Sequence, residues 1–246
     1  MPTSNMSRKI IVNADDFGKS SEVNRAIVEA FDKKIISSST LMANMPGFEE
    51  ACELAHSHRL LGKIGVHLNL TEGYPLSDPI RQCSRFCNEA GMLRSRTTRF
   101  RLSKQERLAV EMEIVAQVKA CLDHGLRPTH LDSHHHVHTE WAIGAAAIAV
   151  ARRYGIKAIR LSRNCGSGIG FAHKAYKWLY NTRLRMYGLA KTRYFGSSAD
   201  VHEILATASA DIEIMVHLPE DIEENSRGAG IALQRWFAAQ QLASYS

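Results

Sequence analysis

Short apolar runs rich in β-branched residues recur along the chain and alternate with stretches of helical periodicity. Such runs, when polar or glycine residues end them, are typical of buried parallel strands, and apolar positions three and four apart indicate helices that cover a sheet. The pattern predicts strands at 10–13, 35–43, 64–70, 130–138, 156–162, 192–195 and 212–217. It predicts helices at 21–33, 48–56, 103–124, 140–154, 174–189, 201–208 and 231–242.

Strands and helices that alternate in one uninterrupted run favour a parallel sheet. Closure of that sheet would give an α/β fold, a single-domain (β/α) barrel over residues 1–246 that is a distorted or incomplete TIM-like barrel. An open doubly wound sheet is the alternative. Residues 71–102 lose the periodicity, and we expect this insert to cover a substrate.

Composition narrows the class of protein. Hydrophobic residues make up 45% and charged residues 23% of the chain, which argues against disorder and against a membrane span. The longest apolar run, at 143–151, is too short to cross a bilayer. Five cysteines and an amino terminus without a signal peptide indicate reduced thiols and a cytoplasmic protein.

The formal net charge of +6 favours anionic neighbours, and two clusters carry much of it. No nucleic-acid motif accompanies either cluster, so solvated basic faces are favoured and no nucleic-acid partner is expected. The helix at 174–189 has two interpretations, packing on the barrel or peripheral contact with a membrane surface. The clusters comprise Arg94, Arg96, Arg99 and Arg101, and Lys174, Lys177, Arg183, Arg185, Lys191 and Arg193.

Side chains that could bind a metal or take part in catalysis lie at the ends of several predicted strands. Residues 130–138 contain five of the twelve histidines, and an extended chain would point alternate side chains of this stretch to one face. Mixed histidine and aspartate sites suit one divalent cation, either Mg²⁺ or Zn²⁺. Barrel closure would bring the ends of the other strands to the same rim. The side chains expected to meet there are Asp15, Asp16, His67, His134 and His217.

This set of side chains could together catalyse hydrolysis. A cation that binds one carboxylate and two imidazoles can activate water, a second carboxylate can take a proton, and a histidine can protonate a departing amine. Spacing alone leaves open whether Asp15 or Asp16 binds the ion. Further polar side chains on the same strands are assigned to substrate binding, namely Asn69, Asp132, His136, His138 and Arg160.

Four motifs carry a family resemblance. The segments 13–18 (NADDFG), 65–70 (GVHLNL), 129–138 (THLDSHHHVH) and 215–217 (MVH) resemble, in order and spacing, the YdjC-like carbohydrate deacetylases. That family includes the chito-oligosaccharide deacetylases, and the resemblance runs from residue 9 to residue 217. It implies a (β/α) barrel that removes N-acetyl groups from amino sugars with a divalent metal.

The resemblance also implies roles for individual residues. Asp16, His67 and His134 would be the metal ligands, Asp15 the base and His217 the acid. The last motif of the family usually reads His-Pro-Gly, whereas this chain has His217-Leu218-Pro219-Glu220. The chain also ends sooner after that histidine than many members do.

Three functions stay open at this point. The first is metal-dependent N-deacetylation of an acetylated amino sugar, with a free, lipid-linked or nucleotide-linked carrier. The second is phosphoester hydrolysis, which would favour two metal ions. The third is a catalytically silent glycan-binding protein. The oligomeric state, including a homo-oligomer, is also left open.

Overall fold

Six parallel strands form one sheet in the computed structural model, which describes residues 9–95, 101–165, 170–200, 210–221 and 242–245. The strand order is β4-β3-β2-β1-β6-β5. The predicted helix at 201–208 and nearly all of that at 231–242 lie outside the described residues, as do Arg96 and Arg99. The strands are β1 (Ile10–Phe17), β2 (Ser38–Leu41), β3 (Ile64–Leu68), β4 (Leu131–Ser133), β5 (Tyr194–Ser197) and β6 (Ile212–Val216).

Helices connect the strands and cover the outer face of the sheet. Ile27 of the first helix and Val118 of the fourth have no exposed surface, which shows how closely the helices pack on the strands. In the part of the chain that the structure describes, no helix is both long and apolar enough to cross a membrane. The helices are α1 (Ser21–Asp32), α2 (Phe48–Ser57), α3 (Asp78–Arg81), α4 (Lys104–Asp123), α5 (Trp141–Arg153) and α6 (Phe171–Met186).

The position of Arg160 shows that the sheet curls. Residue Ile159 bridges to Leu131 of β4, so Arg160 lies just beyond that edge strand. Its guanidinium nevertheless lies 2.6 Å from Asp15 of β1 and its Nε lies 2.6 Å from Glu213 of β6. In a flat sheet, β1 would be four strand spacings away, roughly 19 Å. The sheet is therefore a curled half-barrel, as predicted for an incomplete barrel, and not a closed one.

Two strand predictions differ from the structure. The segment at 156–162 makes a single bridge to β4 instead of a ladder, and it carries Arg160 as an extended edge. The strand at 130–138 ends at Ser133, because His135 and His136 adopt left-handed backbone angles with φ of 51° and 55°. The expected alternation of imidazoles along one face is therefore wrong beyond Ser133.

The insert at 71–102 is anchored to α4. Backbone N–H groups of Leu76 and Ser77 donate to the buried carboxylate of Glu113 at 3.0 and 2.7 Å. A capping box begins α4, because the Ser103 and Glu106 side chains accept each other's backbone N–H. Of the described part of this insert, only Glu72 lines the large cavity at the carboxyl ends of the strands.

Candidate metal centre

A bulge in β1 brings two adjacent carboxylates to one site. The register against β2 shifts between Ala14 and Phe17, where β1 contains one extra residue. Asp16 takes a left-handed backbone conformation with φ of 68° there. In a regular strand, neighbouring side chains point to opposite faces. The bulge therefore lets Asp15 and Asp16 line the same cavity.

The Asp16 carboxylate contacts two histidines that are distant in the sequence. Its Oδ1 lies 3.1 Å from Nε2 of His67 at the end of β3 and 2.9 Å from Nδ1 of His134 just after β4. One carboxylate oxygen and two imidazole nitrogens lie within 4.8 Å of one another, close enough to bind one metal ion. Burial alone would raise the pKa of Asp16, but hydrogen bonds from both histidines hold it well below its usual range.

The remaining nitrogen of each ring has a carboxylate partner. His67 Nδ1 lies 2.7 Å from Asp132 Oδ1, and His134 Nε2 lies 3.0 Å from Glu72 Oε2. Histidines that bind metals usually place the second ring nitrogen in this way, which fixes the ring orientation. Burial alone would lower the pKa of His67, whereas the negative charge of Asp132 raises it to about 10.

Asp15 is held separately, by a buried arginine. Arg160 donates from Nη1 and Nη2 to the two Asp15 oxygens at 2.7 and 2.6 Å, and Asn13 donates to Oδ1 at 2.9 Å. Burial alone would raise the pKa of Asp15, but the charge and hydrogen bonds of Arg160 hold it well below its usual range. Asp15 therefore stays ionised and pre-oriented at the cavity floor.

A cavity of about 1150 Å³ opens over these groups. His217, which follows β6, lines it together with Asp15 and Asp16. His136 lines it as well, and its Nδ1 is buried without a hydrogen-bond partner among the described residues. Burial and the charge of Arg160 lower the pKa of His136 to about 4, so this ring is neutral at pH 7.

The other four residues assigned to substrate binding lie beneath the cavity. Asn69, Asp132, His138 and Arg160 are each at most 1% exposed, and none lines the cavity. Asn69 Oδ1 accepts the backbone N–H groups that follow it, and His138 lies 2.6 Å from the Ser133 hydroxyl. Their side chains hold neighbouring protein groups in place.

Sequence reasoning missed several residues of the site. Glu72 follows β3 in a short polar loop, so its position after a strand end was an available signal. Glu213 was visible as a charge within the apolar strand β6. Lys19, with Nζ 3.3 Å from Asp16 Oδ2, and Tyr245 carried no such signal.

The fold and the cluster together define an α/β half-barrel with a candidate metal site at the carboxyl ends of its strands. A model of the YdjC-like protein family matches residues 9–238. Carbohydrate deacetylases of Halalkalibacterium halodurans and Brevibacillus brevis are similar to this chain. The first is 35% identical over 220 residues, which are 88% of this chain and 86% of the relative. The second is 34% identical over 239 residues, 92% and 88% respectively.

A carbohydrate deacetylase of Geobacillus stearothermophilus is 42% identical over 160 residues, which are 64% of this chain and 62% of that relative. Among solved structures, a protein from Enterococcus faecalis V583 described in connection with cellobiose-phosphate cleavage superposes with a TM-score of 0.71. That pair is 24% identical over 97% of both chains, which supports the fold alone. The chain belongs to the YdjC-like family, as its motifs predict.

Proposed function

We propose that this protein is a metal-dependent deacetylase that removes an N-acetyl group from an amino sugar. The observation that carries the proposal is the Asp16, His67 and His134 cluster beside an independently held Asp15. The relatives named carbohydrate deacetylases support the reaction and the class of substrate. None of the five cysteines, all of which lie in the described part of the chain, forms a disulfide, which supports a reducing compartment such as the cytoplasm.

The residues present fit a divalent ion. Asp16 Oδ1, His67 Nε2 and His134 Nδ1 converge, while Asp132 and Glu72 occupy the far nitrogens of the rings. Three protein ligands leave coordination positions for water and substrate. When bound, the ion would polarise the acetamido carbonyl and make water more acidic.

Asp15 is the proposed base and His217 the proposed acid. The ionised Asp15 carboxylate takes the proton from the attacking water, and a His217 ring nitrogen gives a proton to the departing amine. The water oxygen first forms a C–O bond to the carbonyl carbon, and the C–N bond then breaks as the nitrogen is protonated, which yields acetate and a free amino sugar. His217 is suited to meet solvent and substrate because its side chain is 45% exposed. His136 is the proposed substrate contact, since this residue lines the same cavity and its Nδ1 makes no hydrogen bond among the described residues.

The described residues contain a second candidate ligand set, Asp15, His67 and Asp132. Arg160 lies 2.6 Å from Asp15 and 2.7 Å from Asp132, so a guanidinium already neutralises both carboxylates. A cation there would lie beside that positive charge. This repulsion favours the Asp16 set and a single ion, and it disfavours a two-metal phosphoesterase.

An acetate-release assay tests the proposal. The protein is stripped with a chelator, reloaded with Mg²⁺ or Zn²⁺, and incubated with N-acetylglucosamine, its oligomers, and lipid-linked and nucleotide-linked forms. We expect acetate and free amine in equal amounts, lost on chelation and restored by one ion per chain. Phosphate release with two ions per chain would support the phosphoesterase instead. Sugar binding without any turnover would support the silent glycan-binding protein.

A further inference from the structure

Residues 242–245 lie at the amino end of β1, the end opposite to the cavity, and Tyr245 is the buried residue of the four. Leu242 bridges to Ile10 at the start of β1, and the Ala243 N–H donates to the Ile10 carbonyl at 2.8 Å. This pairing inserts Tyr245, which is 8% exposed, against Ile11 and Ala158. The tyrosine therefore closes the floor of the barrel below the candidate metal centre.

One chain of contacts leads from this floor to Asp15. The Tyr245 hydroxyl donates to Glu213 Oε2, and the other Glu213 oxygen accepts from Arg160 Nε at 2.6 Å. The two terminal nitrogens of Arg160 in turn donate to both oxygens of Asp15. Glu213 thus fixes the edge of the guanidinium that faces away from Asp15.

A second chain of contacts reaches the same carboxylate. The Tyr245 ring stacks on His130, with centroids 3.9 Å apart and planes 15° apart. His130 Nε2 lies 3.1 Å from Asn13 Oδ1, and Asn13 Nδ2 donates to Asp15 Oδ1 at 2.9 Å. Because Asn13 Oδ1 can only accept, His130 carries its proton on Nε2.

We infer that Tyr245 is a positioning residue for Asp15, acting through Glu213 and Arg160 on one side and through His130 and Asn13 on the other. The inference rests on the proposed role of Asp15 as the base. A general base must be held in one orientation towards the water that it deprotonates. Asp132 also contacts Arg160 at 2.7 Å and Thr40 contacts Asn13 at 3.2 Å, but Tyr245 is the side chain that both chains of contacts share.

Steady-state kinetics of Tyr245 variants test the inference. Tyr245→Phe keeps the stack on His130 and loses the hydroxyl, so we expect kcat to fall about tenfold with KM within about twofold. Tyr245→Leu loses both contacts and should lower kcat further, to about one hundredth. Bound metal should stay at one ion per chain in both variants. Tyr154→Phe is the matched control, since Tyr154 is a partly buried tyrosine outside both chains of contacts.

A double-mutant cycle separates positioning from packing. In a Glu213→Gln background, Tyr245→Phe should lower kcat by much less than tenfold, because the two residues act along one path. A Tyr245→Phe variant with kcat within twofold of the parent, or fold-changes that simply multiply, would overturn the inference.

The experiments distinguish failure of the proposed reaction from failure of the inference about Tyr245. If the parent protein releases no acetate, the cycle is read from thermal unfolding midpoints of the same four proteins. Shifts from Tyr245→Phe and Glu213→Gln that add without coupling would refute the contact itself. Coupled shifts in a protein without turnover would refute only the assignment of the reaction.

Discussion

At the scale of single residues, the site depends on two neighbouring aspartates with different partners. Asp15 is paired with Arg160, and Asp16 lies against His67 and His134. Non-glycine residues with φ near +60° are uncommon, and they cluster at functional sites where the surrounding structure holds them. Asp16 is such a residue, since its φ is 68° and its carboxylate contacts two histidines.

Replacement of Asp15 separates catalysis from metal binding. We expect Asp15→Asn to lower kcat by about 100-fold to 10,000-fold, because the amide cannot accept the proton from water. Metal content, measured by elemental analysis, should stay at one ion per chain, since the Asp16 cluster is intact. His134→Ala should lose both metal and activity.

Asp78→Asn, at a carboxylate that is 80% exposed on α3, is the control and should leave turnover unchanged. Retained turnover in Asp15→Asn would exclude this residue as the base.

At the scale of elements, periodicity predicted most helices and strands to within a few residues, and strand ends predicted which side chains meet. The predictions that were wrong, or that could not be made, have local structural causes. A strand at 130–138 was expected from composition, but the chain turns after Ser133, where the serine hydroxyl accepts the His138 N–H at 2.9 Å. The orientation of Asp16 depends on a bulge that alternating patterns do not reveal. Asp15 and Asp16 therefore could not be told apart from spacing.

Gly65 in β3 lies too close to its neighbours for a larger residue to be accommodated, so its replacement should destabilise the protein. A Cβ at Gly65 would lie 2.5 Å from His130 Nδ1 and 2.6 Å from the His130 carbonyl oxygen. Because backbone cannot move aside cheaply, we expect Gly65→Ala to lower the free energy of unfolding by about 1–3 kcal/mol or more. Urea unfolding measures the change.

Gly62→Ala is a matched control three residues earlier, since a Cβ there meets nothing within 4 Å. It should change the stability by less than about 0.5 kcal/mol. Equal stability of the two variants would contradict the predicted clash.

At the scale of the whole molecule, curling of the sheet joins residues that are far apart in the sequence. Arg160 meets Asp15 and Glu213, and Tyr245 meets His130 across the same interior. No local pattern specifies these pairs, because they depend on which strands become neighbours and how far the sheet closes. The interior also contains histidines that have no access to water.

The pKa values of two of these histidines should make the stability of the protein depend on pH. Burial lowers the pKa of His130 and of His138 well below the usual 6.5. The unfolded chain therefore binds more protons, so the stability from these neutral rings is present above pH 6.5 and is lost as the pH falls. We expect each of the two histidines to lower the free energy of unfolding by about 1.4 kcal/mol for every pH unit below 6.5.

Urea unfolding at pH 7, 6 and 5, with a chelator present, measures this slope, to which His136 adds in the same direction because its pKa is lowered to about 4. The aspartates with lowered pKa values, Asp15 and Asp16, contribute only below about pH 4, outside this range. A stability that stays constant down to pH 5 would contradict the prediction.

The extra residue in β1 also determines which changes of length this protein can tolerate. The residues between Ala14 and Phe17 are Asp15 and Asp16, so a deletion of one residue there would restore strict alternation by removing one of the two carboxylates itself. The centre would then lack either the proposed base or a proposed metal ligand, although every other side chain of the centre was still encoded. We therefore expect this strand to tolerate substitutions outside the two aspartates but no change of length between Ala14 and Phe17.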